Sequence, residues 1–195
     1  GAVSDLDLKL DSGITLGALD LHCSNSTISV NSEVKTISVS AFSDKLKLDL
    51  GKSAKVLSVG IASTSTDLTV HSDATVGTVT IDAPKYKGKV SSDLNTLVIG
   101  AGATEAEVTL AKDTDITNLI VSASKVKIEA ENGSTVADLS VTGKDNEIFG
   151  QGAVTNVNVA TTASGTKVTT PNTKVANAGA ANVTAGGIEV PFNKT

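Results

Sequence analysis

The chain of 195 residues carries 16 basic and 21 acidic side chains, a net charge of −5, and 2% aromatic residues. Every basic residue is lysine and none sits in a dense run, so the cationic track and stacking rings that nucleic acids require are missing. No stretch approaches the roughly 18 consecutive apolar residues of a membrane-spanning helix, and a lone Cys23 excludes an internal disulfide.

Trp and Met are absent while 39% of the residues are hydrophobic, which predicts a thin, regular core of Val, Ile, Leu and Ala. The sparing use of cysteine fits a reducing compartment and equally a bacterial surface protein. The first residue is Gly1 rather than Met, which marks a processed end or a boundary.

From Val3 onward the chain divides into nine units, 3–25, 26–43, 44–65, 66–86, 87–105, 106–124, 125–145, 146–165 and 166–187. A mean length of about 20 residues lies in the range of solenoid repeats. Each unit opens with an apolar-x-apolar pair: Leu8/Leu10, Ile28/Val30, Leu46/Leu48, Leu68/Val70, Gly88/Val90, Val108/Leu110, Val126/Ile128, Ile148/Gly150 and Val168/Thr170. One corner residue follows: Leu16, Val34, Ala54, Val76, Leu94, Ile116, Val136, Val154 and Val175. Three residues later comes a second pair, running from Leu19/Leu21 and Ile37/Val39 through Leu57/Val59, Val79/Ile81, Leu97/Ile99, Leu119/Val121 and Leu139/Val141 to Val157/Val159. Two residues beyond it stands a mostly small column, Cys23, Ala41, Ile61, Ala83, Ala101, Ala123, Gly143 and Thr161, read as inward-facing.

Period two within the pairs is the signature of strands, and helical spacing is absent. The pattern predicts an all-β fold, a single-stranded parallel β-helix (β-solenoid) of about nine coils of ~20 residues, with two or three short strands per coil. The competing arrangement, an antiparallel sandwich, needs hairpin turns, and Asn-Gly occurs once, at Asn132-Gly133. The solenoid domain is expected over 1–187. The segment 188–195, with Pro191, leaves the pattern and is read as an exit segment. Open solenoid ends invite stacking, which Asp5, Asp7 and Lys9 are placed to blunt at one end.

The run from Gly102 to Gly187 resembles the β-helical repeat regions of secreted and cell-surface proteins of Gram-positive bacteria. The phrases "GSTVADLSVTG", "GAVTNVNV" and "KVTTPNTKV" carry the likeness, which extends over roughly 44–187. The resemblance implies an extracellular stalk, spacer or adhesin segment whose partners are the neighbouring modules of a larger surface protein, or further copies stacked end to end.

Chemistry-bearing constellations are few. Asp113/Asp115 and Asp5/Asp7 share a face if extended, and surface solubility accounts for them. His22 and His71 fall in different units and match no zinc spacing, so no metal site is expected. Cys23 falls in the small inward column and is read as a buried, inert thiol. The architecture is similar to that of pectin-cleaving β-helix enzymes, which rely on acidic clusters and an Arg or Lys base. This chain has no Arg and no long loops to wall a cleft. No catalytic residue and no cofactor is assigned, and the chain is not read as an enzyme.

The outward positions between the first-pair residues read Lys9, Ser29, Lys47, Thr69, Lys89, Thr109, Lys127, Phe149 and Thr169, a soluble face whose lysines break the flat threonine rows that ice binding needs. Outward in the second pair stand Asp20, Ser38, Ser58, Thr80, Val98, Ile120, Ser140 and Asn158. The adjacent apolar Val98 and Ile120 are the expected contact patch, and Phe149 and Tyr86 the expected aromatics for stacking on a sugar. The expected function is a rigid spacer or display segment of a bacterial surface protein. An adhesin module for polysaccharide or a host surface is the alternative, and a degenerate polysaccharide lyase comes third. Asn-x-Ser/Thr sequons stand at Asn25, Asn132, Asn182 and Asn193.

Overall fold

Alternating apolar and polar residues make strands with one inward face, and two inward faces wrapped by one chain close a core. The computed structural model describes residues 3–191. It contains two long parallel sheets that run the length of the molecule. The first, of 11 strands, holds the first-pair segments, from Asp7–Leu10 and Thr27–Val30 to Lys167–Val168 and Thr184–Ala185. The second, of 9 strands, holds the corner and second-pair segments, from Thr15–Leu21 and Glu33–Val39 to Ala153–Val159 and Lys174–Asn177. Successive coils lie side by side in each sheet, which makes the fold a parallel β-solenoid of about 9 turns. At about 4.8 Å per coil the stack is roughly 40 Å long.

Inward columns are dry. Ile28, Leu48, Leu68, Val108, Ile128, Ile148 and Val168 form one, and Ile37, Val59, Val79, Leu97, Leu119, Leu139 and Val157 face them from the second sheet. Each such side chain contributes about 1.5–3 kcal/mol by leaving water.

Three units pair differently from their sequence alignment. In 44–65 the inward first pair is Leu48/Leu50, the corner is Val56 and the second pair is Val59/Ile61, so Leu57 points out of the core. In 125–145 the first pair is Ile128/Ala130. The last unit has lost its corner, because Val175 pairs with Val157 as a second-pair residue. The small inward column also moves. Ala41, Ala101 and Thr161 are exposed, whereas Cys23, Ser43, Ser63, Ala83, Ala103, Ala123, Gly143 and Ala163 are buried and recur every 20 residues.

That period is held by compensation. From first pair to corner the chain takes six steps in most coils, as from Leu50 to Val56 or Ala130 to Val136. It takes four from Val30 to Val34, Val90 to Leu94 and Gly150 to Val154. In those three coils the return arc gains a β-turn, closed by Ser43 N–H to Ser40 O, Ala103 N–H to Gly100 O and Ala163 N–H to Ala160 O, each at 3.0 Å. Elsewhere the extra turn sits at the outgoing corner, as with Ala54 N–H to Gly51 O at 2.9 Å. The turn changes corner every third coil while the small inward column keeps its 20-residue step.

The third side of the coil is not a continuous sheet. Among the described residues its only strand pair is Val3–Ser4 with Cys23–Ser24. In most coils one residue there adopts a positive φ: Asp5, Asn25, Lys45, Lys85, Glu105, Lys125 and Asp145, at 49–61°. Its N–H donates to the coil above, as from Lys85 to Thr104 O and from Lys125 to Lys144 O, both at 2.8 Å. The ladder satisfies backbone groups that strands would otherwise pair.

The segment expected as an exit begins with Ile188–Glu189, which folds back antiparallel to Thr184–Ala185. Asn177 Nδ2 donates to Val190 O at 2.9 Å and ties that reversal down. Residues 192–195, with the sequon at Asn193, lie outside the described residues.

Candidate binding surfaces

Strand alternation carries Val98 and Ile120 outward on neighbouring strands Leu94–Ile99 and Asp115–Val121, where they are Cα partners. Val98 is half-buried and Ile120 is 36% exposed. Both were expected to face out together, and they do. Phe149, on Glu147–Gly150, pairs with Glu129 and is half-buried among its neighbours.

Tyr86 departs from expectation. It was read as a surface aromatic and is fully buried, with its hydroxyl donating to the Thr66 carbonyl. Burial, with the nearby Asp67 carboxylate adding to it, holds the phenol well above its ordinary range. A period-two reading does not see this, because Tyr86 lies just after a positive-φ residue, Lys85, which turns the chain inward. The ring also displaces its neighbours. Val90 pairs with Leu68 on one side but with Leu110 on the other, a two-residue slip in the first sheet. Gly88 is required there, since a Cβ would stand 2.2 Å from Tyr86 Oη and 2.3 Å from Thr66 O.

The outward columns of the first sheet differ from the lysine–threonine alternation read from the sequence. Asp49 and Glu129 occupy the positions assigned to Lys47 and Lys127. The lysines stand two residues earlier, in a column where Lys87, Glu107, Lys127, Glu147 and Lys167 alternate in sign on five successive coils. Lys87 Nζ reaches Glu107 at 3.0 Å. Glu131 accepts from Lys89 Nζ at 2.8 Å and from the Lys112 backbone N–H at 2.9 Å. Those two hydrogen bonds, the Lys89 one first, hold its carboxyl below the usual value.

His22 and His71 are exposed, and Cys23 is buried with a free thiol, as read from the sequence. Among the described residues no three His, Cys, Asp or Glu side chains gather at a metal-binding distance. Asn25, Asn132 and Asn182 are exposed in turns.

The surface that sequence reading missed lies on the second sheet, across its first four coils. There a groove of about 500 Å³ runs along the rod over Gly17, Lys35, Leu57 and Gly77, with Glu33 and Lys55 on its rim. Leu57 is 62% exposed at its centre. The one signal available was that Leu57 and Val59 fit the inward pair no better than Val59 and Ile61 do.

The scan of protein-family models, the search of curated proteins and the search of solved structures each return no match. The fold therefore defines the class, a parallel β-solenoid, and function has to be argued from this chain's own surfaces.

Proposed function

We propose that this chain is a rigid spacer or display segment of an extracellular protein, of the kind found on Gram-positive bacterial surfaces. The observation that carries this reading is the 20-residue step that the small inward column keeps from Cys23 to Ala163 despite turns of two lengths. A fold that corrects its own turn lengths keeps its columns straight, and straight columns of buried Val, Ile and Leu make a stiff rod. Its partners are the modules at either end. Resistance to stretching tests it. Pulled by its two ends, the rod should keep its length until it yields coil by coil at high force. Smooth extension at low force would overturn the reading.

A second reading, an adhesin module, is favoured by the Val98–Ile120 pair and by the groove over Leu57. It expects saturable retention of the chain on insoluble polysaccharide or cell wall, with or without calcium. Loss of that retention in a folded Val98→Asp/Ile120→Asp variant would place the contact on the apolar pair. Retention by no polysaccharide and no cell wall would leave the spacer reading alone.

A further inference from the structure

The groove on the second sheet is built by two columns. One wall is Thr15, Glu33, Lys55 and Thr75, which pair in register on four successive coils. The floor beside that wall carries Lys35 and Leu57, and glycine stands at both ends, at Gly17 and Gly77. Thr36 and Ser58 pair in the next column along the same strands, beyond the groove lining. A Cβ on Gly17 would meet nothing within 4 Å, so that glycine leaves open space that a side chain would fill. A Cβ on Gly77 would sit 2.3 Å from Leu57 O, so that end stays bare for steric reasons.

Charge marks the occupant. The protein carries −5 overall, yet this groove has two lysines against one acid. Neither Lys35 nor Lys55 joins an ion pair among the described residues, so both ammonium groups are open to a ligand, as they are at several other exposed lysines. An anionic ligand is the complement of such a site. The sheet chemistry narrows it further. On the face of a sheet the backbone N–H and C=O groups are already paired with neighbouring strands, so an extended peptide finds no partners for its own backbone. A ligand rich in hydroxyls, with apolar C–H faces, finds Thr15 and Thr75 for the former and Leu57 for the latter.

Resting on the adhesin reading above, we infer that the groove over Gly17, Leu57 and Gly77 binds a linear acidic polysaccharide lying along the rod axis, with its carboxylates on Lys35 and Lys55. Four coils at about 4.8 Å each give a track of about 15–20 Å, long enough for a few sugar units.

Affinity electrophoresis of the full chain through gels carrying alginate, polygalacturonate, hydroxyethyl cellulose or polyglutamate tests it. The expected result is retardation by an acidic glycan, weaker retardation by the neutral one, and little by polyglutamate. Gly17→Leu, whose Cβ meets nothing within 4 Å and whose side chain occupies the groove, and Lys35→Glu/Lys55→Glu each weaken retention about tenfold or more. Lys85→Glu/Lys125→Glu, on the third side, leaves it unchanged. Circular dichroism and thermal melts establish that each variant is folded. Retention by acidic glycan that survives both groove changes would overturn the site while leaving the adhesin reading in place. Equal retention by polyglutamate would reduce it to charge alone and overturn the sugar. No retardation by either acidic glycan would sink the inference, and retention on none of the carriers would sink the adhesin reading with it.

Discussion

Lys127 lies directly between Glu107 and Glu147, its Cα partners on the coils below and above. The same column continues to Lys87 and Lys167, so Glu107, Lys127 and Glu147 each meet the opposite charge on both sides. A slip by one coil would keep every side chain on its own face and yet place like charges together. The column therefore selects the register that the apolar columns alone leave degenerate.

Reversing the central charge should expose this. Lys127→Glu sets three acids in a row and is expected to destabilise the fold by about 1 kcal/mol. Exposed charges are screened by salt, so the loss should shrink in concentrated NaCl. Urea titration at low and high salt measures both. A loss that does not depend on salt would assign it to packing.

Gly60 and Gly88 are strand glycines with opposite surroundings, the first exposed and the second in an inward first-pair position. A Cβ at Gly60 meets nothing within 4 Å, whereas at Gly88 it strikes Tyr86 Oη and the Thr66 carbonyl. Gly60→Ala should be neutral or mildly stabilising. Gly88→Ala should cost about 2 kcal/mol or more, because the obstructing carbonyl belongs to the backbone. Thermal melts of the two variants decide it, and equal melting temperatures would contradict the account of the slip at Tyr86.

Lys85 holds a φ of 56° without an ion pair to recompense it. Asn tolerates that region better than Lys does. Lys85→Asn should therefore stabilise the protein by roughly 0.5 kcal/mol. The same change at Lys87, in a strand, should destabilise it. Chemical denaturation of the two variants supplies the comparison.

Glu131 supplies a pH dependence whose sign is fixed. Its folded-state carboxyl is held below the ordinary 4.5 by the hydrogen bonds from Lys89 and Lys112. The unfolded chain then takes up the proton first as pH falls, so the contribution is complete above the ordinary value and is lost as pH drops through the folded one. Glu131→Gln should be less stable than the parent at neutral pH and approach it in acid. Stability curves that run parallel through the acid range would contradict this.

The strand pattern was legible because inward columns of Val, Ile and Leu repeat with period two and the corner keeps its spacing of three. Alignment failed where the local pattern is degenerate. Leu46, Leu48 and Leu50 alternate without a break, so any two of them satisfy an inward pair, and only the coils on either side choose Leu48 and Leu50. The positive-φ column was partly written in Asp5, Asn25, Asp145 and Asn182, residue types that favour it, but Lys45, Lys85 and Lys125 carry no such mark. The groove could not be read, since it depends on Leu57 facing out. Val98 and Ile120 could, because their strands align without ambiguity.

The central claim is that each 20-residue step adds one coil to a straight stack, and a pair of spin-label distances tests it most directly. With Cys23 replaced by Ala, one label goes at position 27 and the other at 127 or 167, all outward on the first sheet and the latter two in one column. At about 4.8 Å per coil the two separations should be roughly 24 and 34 Å, each a single narrow peak. Broad distributions, or a second separation that fails to exceed the first by about two coil rises, would contradict the rod.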